Sequence, residues 1–443
     1  MKVQLSDHFT YKRLLRFVWP PIMMMIFTSI YGVVDGFFIS NYVGKIPFAA
    51  VNLIMPFLMI LGCFGFMLGA GGSALVSKTL GEGNREKANQ IFSMLVMVGI
   101  VTGAILAIIG IIFLAPIAIF LGAEGEMIHY CVIYGRIILV ALPAFMLQNM
   151  FQSFLVTAER PELGLVMTIL AGATNMLLDA LFMGIFAWGT VGAALATAIS
   201  QFVGGAAPFF FFLKPKRSLL WLTKPVFDGQ AFLKTCTNGS SELVTNISLS
   251  IISMLYNFQL LKYAGEDGVA AYGVIMYINF IFIAIFIGYS IGTAPIIGFH
   301  YGADNHSELK NIFKKSMILN IITGVTLMVI GLALSDALAK LFVGYDPHLC
   351  EMTVSGFRIY VLSFLFCGFN IFGSSLFTAL NNGLVSAVIS FLRTLLFQVG
   401  AILIMPLIWG LDGIWYSVAV AELVALMLTM TFVIRLRGKY HYM

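Results

Sequence analysis

Twelve long apolar segments make up most of the sequence and limit what it can fold into. Each reaches or exceeds the ~20 residues that a helix needs to cross a lipid bilayer. Hydrophobic residues are 60% of the 443 residues and charged residues only 10%, whereas soluble domains are about 25% charged. The pattern predicts an all-α polytopic membrane protein with twelve transmembrane helices, at about 14–40, 47–78, 90–121, 127–157, 162–187, 190–213, 231–264, 269–301, 310–343, 349–379, 384–408 and 411–435.

Lysine and arginine are distributed unevenly between alternate connections. Nineteen of them fall on the side that holds both chain ends, and only Lys45, Lys262 and Lys340 fall on the other. Cytoplasmic loops of membrane proteins carry such an excess of positive charge. We therefore expect both termini to be cytoplasmic, in a multi-pass protein of the cytoplasmic (inner) membrane. The net charge of +5 follows from this topology and does not call for a nucleic-acid partner.

Cysteine usage gives no sign of a disulfide framework or a zinc site. The five cysteines are scattered, mostly in apolar runs, and no CxxC or Cys/His cluster is present. We expect no cofactor and no resident metal. The first apolar run is too long for the apolar core of a signal peptide and lacks a small-residue cleavage site.

The two halves of the chain match each other at one constant offset of 221 residues. LGEGNREKANQIF (80–92) falls on YGADNHSELKNIF (301–313), and eight glycines coincide where about two are expected by chance. Each half holds six spans, so the halves share one orientation. Parallel repeats of this kind occur in transporters, which handle substrate between the halves. We predict an N-lobe at 1–213, a basic cytoplasmic linker at 214–230 and a C-lobe at 231–443.

Two carboxylates lie inside spans of the predicted N-lobe. Asp35 is in the first span, and Asp179 follows Asn175 by four residues in the fifth, so these two share a helix face. Both carboxylates lie at similar depth, roughly 26–32 Å from the inner ends of their spans at 1.5 Å per residue. Thr197 and Tyr134 should reach a comparable level. A charged group at such depth costs about 2.5–3.5 kcal/mol or more, so it usually serves a pathway, a relay or a partner.

Two nearby carboxylates in a low dielectric cannot both ionise cheaply, so the pair is predicted to bind a proton near neutral pH. A sodium ion shared by Asp35, Asn175 and Asp179 is an alternative, because hard cations accept carboxylate and amide oxygens. A third reading is that the two carboxyls are unrelated and hydrogen-bonded separately.

The C-lobe does not repeat this site, because Asp35 maps onto Tyr256 and Asp179 onto Gly400. Other polar residues inside spans either line a substrate cavity or cross-link helices. The candidates for a cavity are Gln148, Asn149, Gln152, Glu242, Asn246 and Asn370. For Glu422 and Arg393 we expect a structural role, and the sequence leaves open whether they pair.

The chain resembles the MATE (multidrug and toxic compound extrusion) family, and its MepA-like and DinF-like bacterial members in particular. The resemblance covers all twelve spans. It rests on WPPIMMMIFTSIYGVVD, on GAGGSALVSKTLGEGNREKA, on the spacing of Asn175 and Asp179, and on WGTVGAALATAIS. It implies two six-helix lobes around a central cavity. It also implies export of amphipathic, often cationic compounds in exchange for H⁺ or Na⁺, and we expect a monomer.

The resemblance also implies roles for individual residues. Asp35 and Asp179 would be the coupling carboxylates, and Tyr134, Asn175 and Thr197 would complete their network. The first helix would bend at Pro20, and the pair Pro20-Pro21 removes ladder hydrogen bonds, as a hinge requires. Glu242 matches an acidic residue of the C-lobe site found in some members. The Tyr-x-x-x-Asp of that site is here Phe366-x-x-x-Asn370, which favours the N-lobe as the coupling site.

Two other classes of protein share some of these features. A flippase for lipid-linked oligosaccharides or precursors has the same superfold, but tends to have extra helices or a cationic cavity for phosphate. The central groups here are mainly acidic. An intramembrane aspartyl protease also needs two aspartates, but the sequence has no GxGD and a protease leaves the repeat unexplained. We therefore expect a transporter and not an enzyme.

Overall fold

The computed structural model describes residues 3–215 and 218–443. Lys2, Lys216 and Arg217, three of the nineteen basic residues counted above, lie outside the described residues. The regular elements within those two ranges are all helical, as the sequence predicts.

Seven α-helices form the first half of the chain. They are α1 (Tyr11–Tyr42), α2 (Lys45–Gly81), α3 (Arg85–Phe120), α4 (Glu126–Val140), α5 (Leu142–Thr157), α6 (Pro161–Asp179) and α7 (Gly189–Phe212). A π-helical segment, Ala180–Ile185, continues α6.

Six α-helices form the second half. They are α8 (Gly229–Gly302), α9 (His306–Val343), α10 (Pro347–Tyr360), α11 (Phe364–Ala379), α12 (Gly383–Phe391) and α13 (Gln398–Tyr440). A 3₁₀ turn, Val361–Ser363, joins α10 to α11, and a π-helical segment, Leu392–Phe397, joins α12 to α13.

Helix α8 is too long for one membrane crossing, because its 74 residues would extend about 110 Å if straight. It reverses at Gly265, where φ is 64°. The stacked rings of Tyr256 and Tyr272 have centroids 4.9 Å apart, whereas a straight helix would separate the two residues by about 24 Å. Gly410, with a φ of 57°, interrupts α13 in the same way. Only glycine adopts such angles without steric cost, so each of these two turns depends on one residue.

The twelve crossings predicted from the sequence can now be assigned. Of the stretches in the described ranges, nine are long and apolar enough to span a membrane, and α4 with α5 forms a tenth that is bent by 53°. The bend coincides with Pro143, which lacks a backbone N–H and lies in the first turn of α5. Dividing α8 at Gly265 and the stretch from α12 to α13 at Gly410 adds two more. The all-α polytopic architecture with twelve spans is confirmed.

The two halves pack closely on the termini side, which we define as the side where α1 begins and α13 ends. Glycines allow this approach, as is common between membrane helices. A Cβ atom on Gly239 of α8 would overlap the carbonyl oxygen of Met67 in α2. A Cβ atom on Gly288, in the returning part of α8, would lie 2.5 Å from the Cα of Ile22 in α1. Helix α1 runs without interruption through both of its prolines at this contact.

Candidate functional site

The polar residues predicted for the coupling site come together inside the first half. Asp35 of α1 is close enough to interact with Asp179 and Asn175 of α6 and with Thr197 of α7. Tyr134 of α4 faces both carboxyl groups and Thr197. Four helices, α1, α4, α6 and α7, therefore contribute to one cluster.

Two local features bring α6 to α1 and orient Asp179. Gly172 lies where the helices meet, since a Cβ atom there would be 2.6 Å from Cε1 of Phe27 and 2.9 Å from Cδ1 of Tyr31. The α-helix changes to a π-helix at Ala180, directly after Asp179. Single π-helical turns redirect side chains and are frequent at functional sites.

The cluster is buried and its hydrogen-bonding capacity is unfilled. Asp179 and Tyr134 are 0% exposed and Asn175 is 2% exposed, whereas Asp35 is partly exposed. No hydrogen bond from a described residue reaches six of its oxygens: Oδ1 of Asp35, both carboxylate oxygens of Asp179, Oδ1 of Asn175, Oγ1 of Thr197 and the hydroxyl of Tyr134. Buried polar atoms are nearly always paired, so a concentration of unpaired oxygens marks a place where a proton or cation can bind.

The donor set suits a proton or a monovalent cation. Two carboxyls, one amide and two hydroxyls supply oxygen atoms, which hard cations prefer. No cluster of three or more His, Cys, Asp or Glu residues suited to a metal ion occurs in the part of the chain that the structure describes.

Tyr31 and Gln201 belong to this region and were not selected from the sequence. Tyr31 lies near Asp35 and within hydrogen-bonding range of Gln148 of α5. Its position one turn before Asp35, on the same helix face, is a signal that could have identified it. Gln201 lies one turn after Thr197, and both line a cavity of about 50 Å³ between α2, α4, α5 and α7.

The three residues of α5 that we predicted to line the cavity, Gln148, Asn149 and Gln152, are all buried. Gln148 lies against Gly204 of α7, where a Cβ atom would be 2.6 Å from its Cδ. Asn149 and Gln152 are 7% and 8% exposed, and the amide nitrogen of Asn149 has no hydrogen-bond partner among the described residues.

The second half contains a different polar centre. Arg393 donates from Nε to both carboxylate oxygens of Glu422 at 3.0 Å, and from Nη2 to Oε1 at 2.8 Å. Asn370 donates to Oε2 of Glu422 at 2.7 Å and accepts from Thr429 at 2.9 Å. Arg393 and Glu422 therefore do pair. Asn370, which we predicted to line the substrate cavity, has its side chain engaged in this network.

Glu242 and Asn246 lie on α8. Glu242 is half-buried and faces both Arg393 and Cys63 of α2, so it lies near the boundary between the halves. Asn246 donates its side-chain amide to the carbonyl oxygen of Glu242 at 2.8 Å, within its own helix.

A twelve-span bundle of two repeated halves, with unpaired carboxyls buried in one of them, defines a polytopic membrane protein of the tandem-repeat transporter type. The MatE family model matches residues 20–181 and 243–403, once in each half. The matches cover more than half of the chain, and the chain belongs to the MatE family.

Similar curated proteins are named multidrug export protein MepA. The chain is 23% identical to MepA of Staphylococcus haemolyticus (strain JCSC1435) over 431 residues, 97% of this chain and 94% of that protein. It is also 23% identical to MepA of Staphylococcus aureus (strain MRSA252) over 432 residues, with the same coverage of 97% and 94%.

Solved structures with a similar fold include an outward-facing conformation of a multidrug resistance MATE family transporter. Its TM-score is 0.91 at 21% identity, over 96% of this chain and 95% of that chain. A MOP superfamily transporter from Pyrococcus furiosus has a TM-score of 0.90 at 21% identity, over 98% of each chain. At this identity the likeness supports the fold alone.

Proposed function

We propose that this protein is a multidrug efflux antiporter that exports amphipathic, cationic organic compounds in exchange for H⁺ or Na⁺. The observation that carries the proposal is the meeting of Asp35 and Asp179, from α1 and α6, in a buried cluster of unpaired oxygens. Such groups are costly inside a membrane unless they serve transport. The relatives named multidrug export proteins support the substrate class.

Transport would proceed by alternating access. Substrate enters a central cavity from the cytoplasm, the lobes rock, and the cavity opens outward. A cation from outside then binds at Asp35 and Asp179, and substrate leaves. Pro20 and Pro21 leave two carbonyls of α1 without helical hydrogen bonds, so we propose that α1 rearranges there when the cation binds.

The proposal includes an orientation and a boundary between lobes. We place the protein in the cytoplasmic (inner) membrane with both termini in the cytoplasm, so the termini side is the cytoplasmic side. The N-lobe is 1–213, the linker 214–230 and the C-lobe 231–443. The excess of lysine and arginine on the termini side supports the orientation. We propose that the protein acts as a monomer and as a transporter without enzymatic activity.

Within the cluster we propose that Tyr134, Asn175 and Thr197 ligate or hydrogen-bond the coupling ion beside the two carboxyls. For the cavity we propose the remaining polar residues named from the sequence, which are Gln148, Asn149, Gln152, Glu242, Asn246 and Asn370.

A flippase for lipid-linked precursors would need a positively charged side chain to bind the phosphate of its substrate. The guanidinium of Arg393 is already paired with Glu422 and is not free to bind a phosphate. This pairing favours a cationic substrate over a lipid-linked phosphate.

The test is efflux of a fluorescent organic cation from membrane vesicles under separately imposed proton and sodium gradients. Wild-type protein should respond to one of the two gradients, and Asp35→Asn and Asp179→Asn should abolish that response at normal expression. Asp304→Asn, which changes an exposed aspartate between α8 and α9, is the matched control. Full gradient-driven efflux by both single variants would refute the mechanism.

A further inference from the structure

The segment that precedes α1, residues 3–10, crosses from one half of the protein to the other. We call it the N-terminal strap. Leu5 and Phe9 are 0% exposed. The backbone N–H of Leu5 donates to Oε1 of Glu159, in the turn between α5 and α6, at 2.7 Å. Further along, Nδ1 of His8 lies 2.6 Å from Oε2 of Glu308, in the first turn of α9.

Glu308 is the main hydrogen-bond acceptor for the strap. Its Oε1 accepts the backbone N–H of Phe9 at 2.9 Å, so both carboxylate oxygens are used. Asn305 caps α9 and Glu308 follows three residues later, a spacing at which the glutamate usually returns to the cap. Here the carboxylate is turned towards the strap. Asn311 and Lys315 donate to the carbonyl oxygen of Phe9 at 3.0 Å and 2.6 Å, which fixes that residue from both sides.

The segment that precedes α8 makes the corresponding contact on the other half. The backbone N–H of Trp221 donates to Oδ1 of Asn89 at 2.9 Å, and that of Thr223 donates to Oγ of Ser93 at 2.8 Å. Both acceptors are on α3. The guanidinium of Arg85 lies 4.6 Å from the centre of the Trp221 ring.

The two helices that receive these segments are related by the repeat. Helices α3 and α9 begin in the matched segments 80–92 and 301–313. The segment before the first span of each half therefore docks on the third span of the other half. The acceptors differ, because Lys87 is the counterpart of Glu308. The acceptor on α9 is a carboxylate, and hydrogen bonds to a charged group are stronger than those between neutral groups.

We propose that the N-terminal strap is a latch that holds the termini side closed, and that it must leave Glu308 before that side can open. The inference rests on the alternating access proposed above, because a transporter that alternates must break the contacts that join its halves on this side. The strap joins Glu159 of the first half to Glu308 of the second. The MatE model match begins at residue 20, after the strap.

The test is hydrogen–deuterium exchange of the full chain in lipid nanodiscs. The variant Glu308→Gln removes the charge that holds Phe9 and His8. Amides of α2 and α8 where the halves meet, at 65–81 and 235–239, should then exchange faster by about tenfold. Asp304→Asn makes the same charge change four residues earlier, at a side chain that faces solvent, and should match wild type.

A second variant distinguishes loss of the latch from misfolding of the Glu308→Gln protein. The side chain of His8 is 65% exposed, so His8→Ala leaves the core intact and removes only the contact to Oε2. It should raise exchange at the same amides by a smaller factor. If both variants exchange like wild type, the latch is refuted. If exchange rises while wild-type vesicles show no gradient-driven efflux, the latch stands and the antiport proposal fails.

Discussion

The hydroxyl groups of Tyr256 and Ser417 share a hydrogen bond of 2.6 Å in the buried interior of the second half. Tyr256 is the repeat counterpart of Asp35, and Gly400 is the counterpart of Asp179. At the position of Asp35 the second half thus has a tyrosine in a satisfied neutral pair, whereas the first half has carboxyls with unpaired oxygens. The difference makes the two halves chemically unequal, so the groups that carry the ion and the groups that hold the fold can be tested separately.

Removing both carboxyls should be no worse than removing one. Asp35→Asn and Asp179→Asn should each lower gradient-driven efflux by at least about tenfold, and the double variant should fall no further, because residues that act as one unit are strongly non-additive. The measurement is initial efflux rate in vesicles at matched expression. Multiplicative losses would show that the two residues act separately.

Tyr256→Phe should affect stability and leave coupling intact. The change removes the hydrogen bond to Ser417 and should cost about 0.5–1.5 kcal/mol. Unfolding in detergent should show that loss, whereas efflux under an imposed gradient should remain at the wild-type rate. A loss of gradient response like that of Asp35→Asn would place an essential group in the second half.

Glu422→Gln should be strongly destabilising, by about 3–5 kcal/mol, because it removes the carboxylate to which the mostly buried guanidinium of Arg393 donates. Replacing both residues by apolar ones, as in Arg393→Met with Glu422→Leu, should recover much of that stability. Unfolding of the single and double variants in detergent measures both. If the double variant is as unstable as Glu422→Gln, the ion pair stabilises the fold by more than cancelling the two charges.

Gly239→Ala should disturb closure on the termini side. The added methyl group would overlap the carbonyl oxygen of Met67, so the halves cannot approach as closely. Overpacking of about 1–3 kcal/mol should lower efflux by about fivefold or more. Gly273→Ala is the matched control, since a Cβ atom at that position of α8 meets nothing within 4 Å. Equal effects of the two variants would mean that helix propensity, and not contact between the halves, is responsible.

Several features of the candidate site could be predicted from the sequence. Asp35 and Asp179 stand out because charges are rare in apolar runs, and their depths follow from the rise of a helix. The spacing of Asn175 and Asp179 places both on one face. These inferences need only periodicity along a single helix. Tyr31 could have been added by the same argument, because it is one turn from Asp35.

Other contacts depended on how helices are rotated and packed. The sequence left open whether Arg393 and Glu422 pair, because they lie on different helices. The sequence does not specify a partner for Asn370 either, and only packing directs its amide to Glu422. Glu308 matches a capping pattern, but the strap takes its carboxylate. Side-chain partners across helices depend on crossing angles and close approaches, which residue spacing along one helix does not specify.

The sequence alone determined the twelve spans, the repeat and the presence of two carboxylates at similar depth, because hydropathy and helix rise are local properties of the chain. The tertiary structure decided that Asp35 and Asp179 meet with unpaired oxygens and that Arg393 pairs with Glu422 in the second half. It also decided that the segment before the first span of each half docks on the other half. These depend on contacts between residues far apart in sequence, and such contacts exist only once the helices have packed.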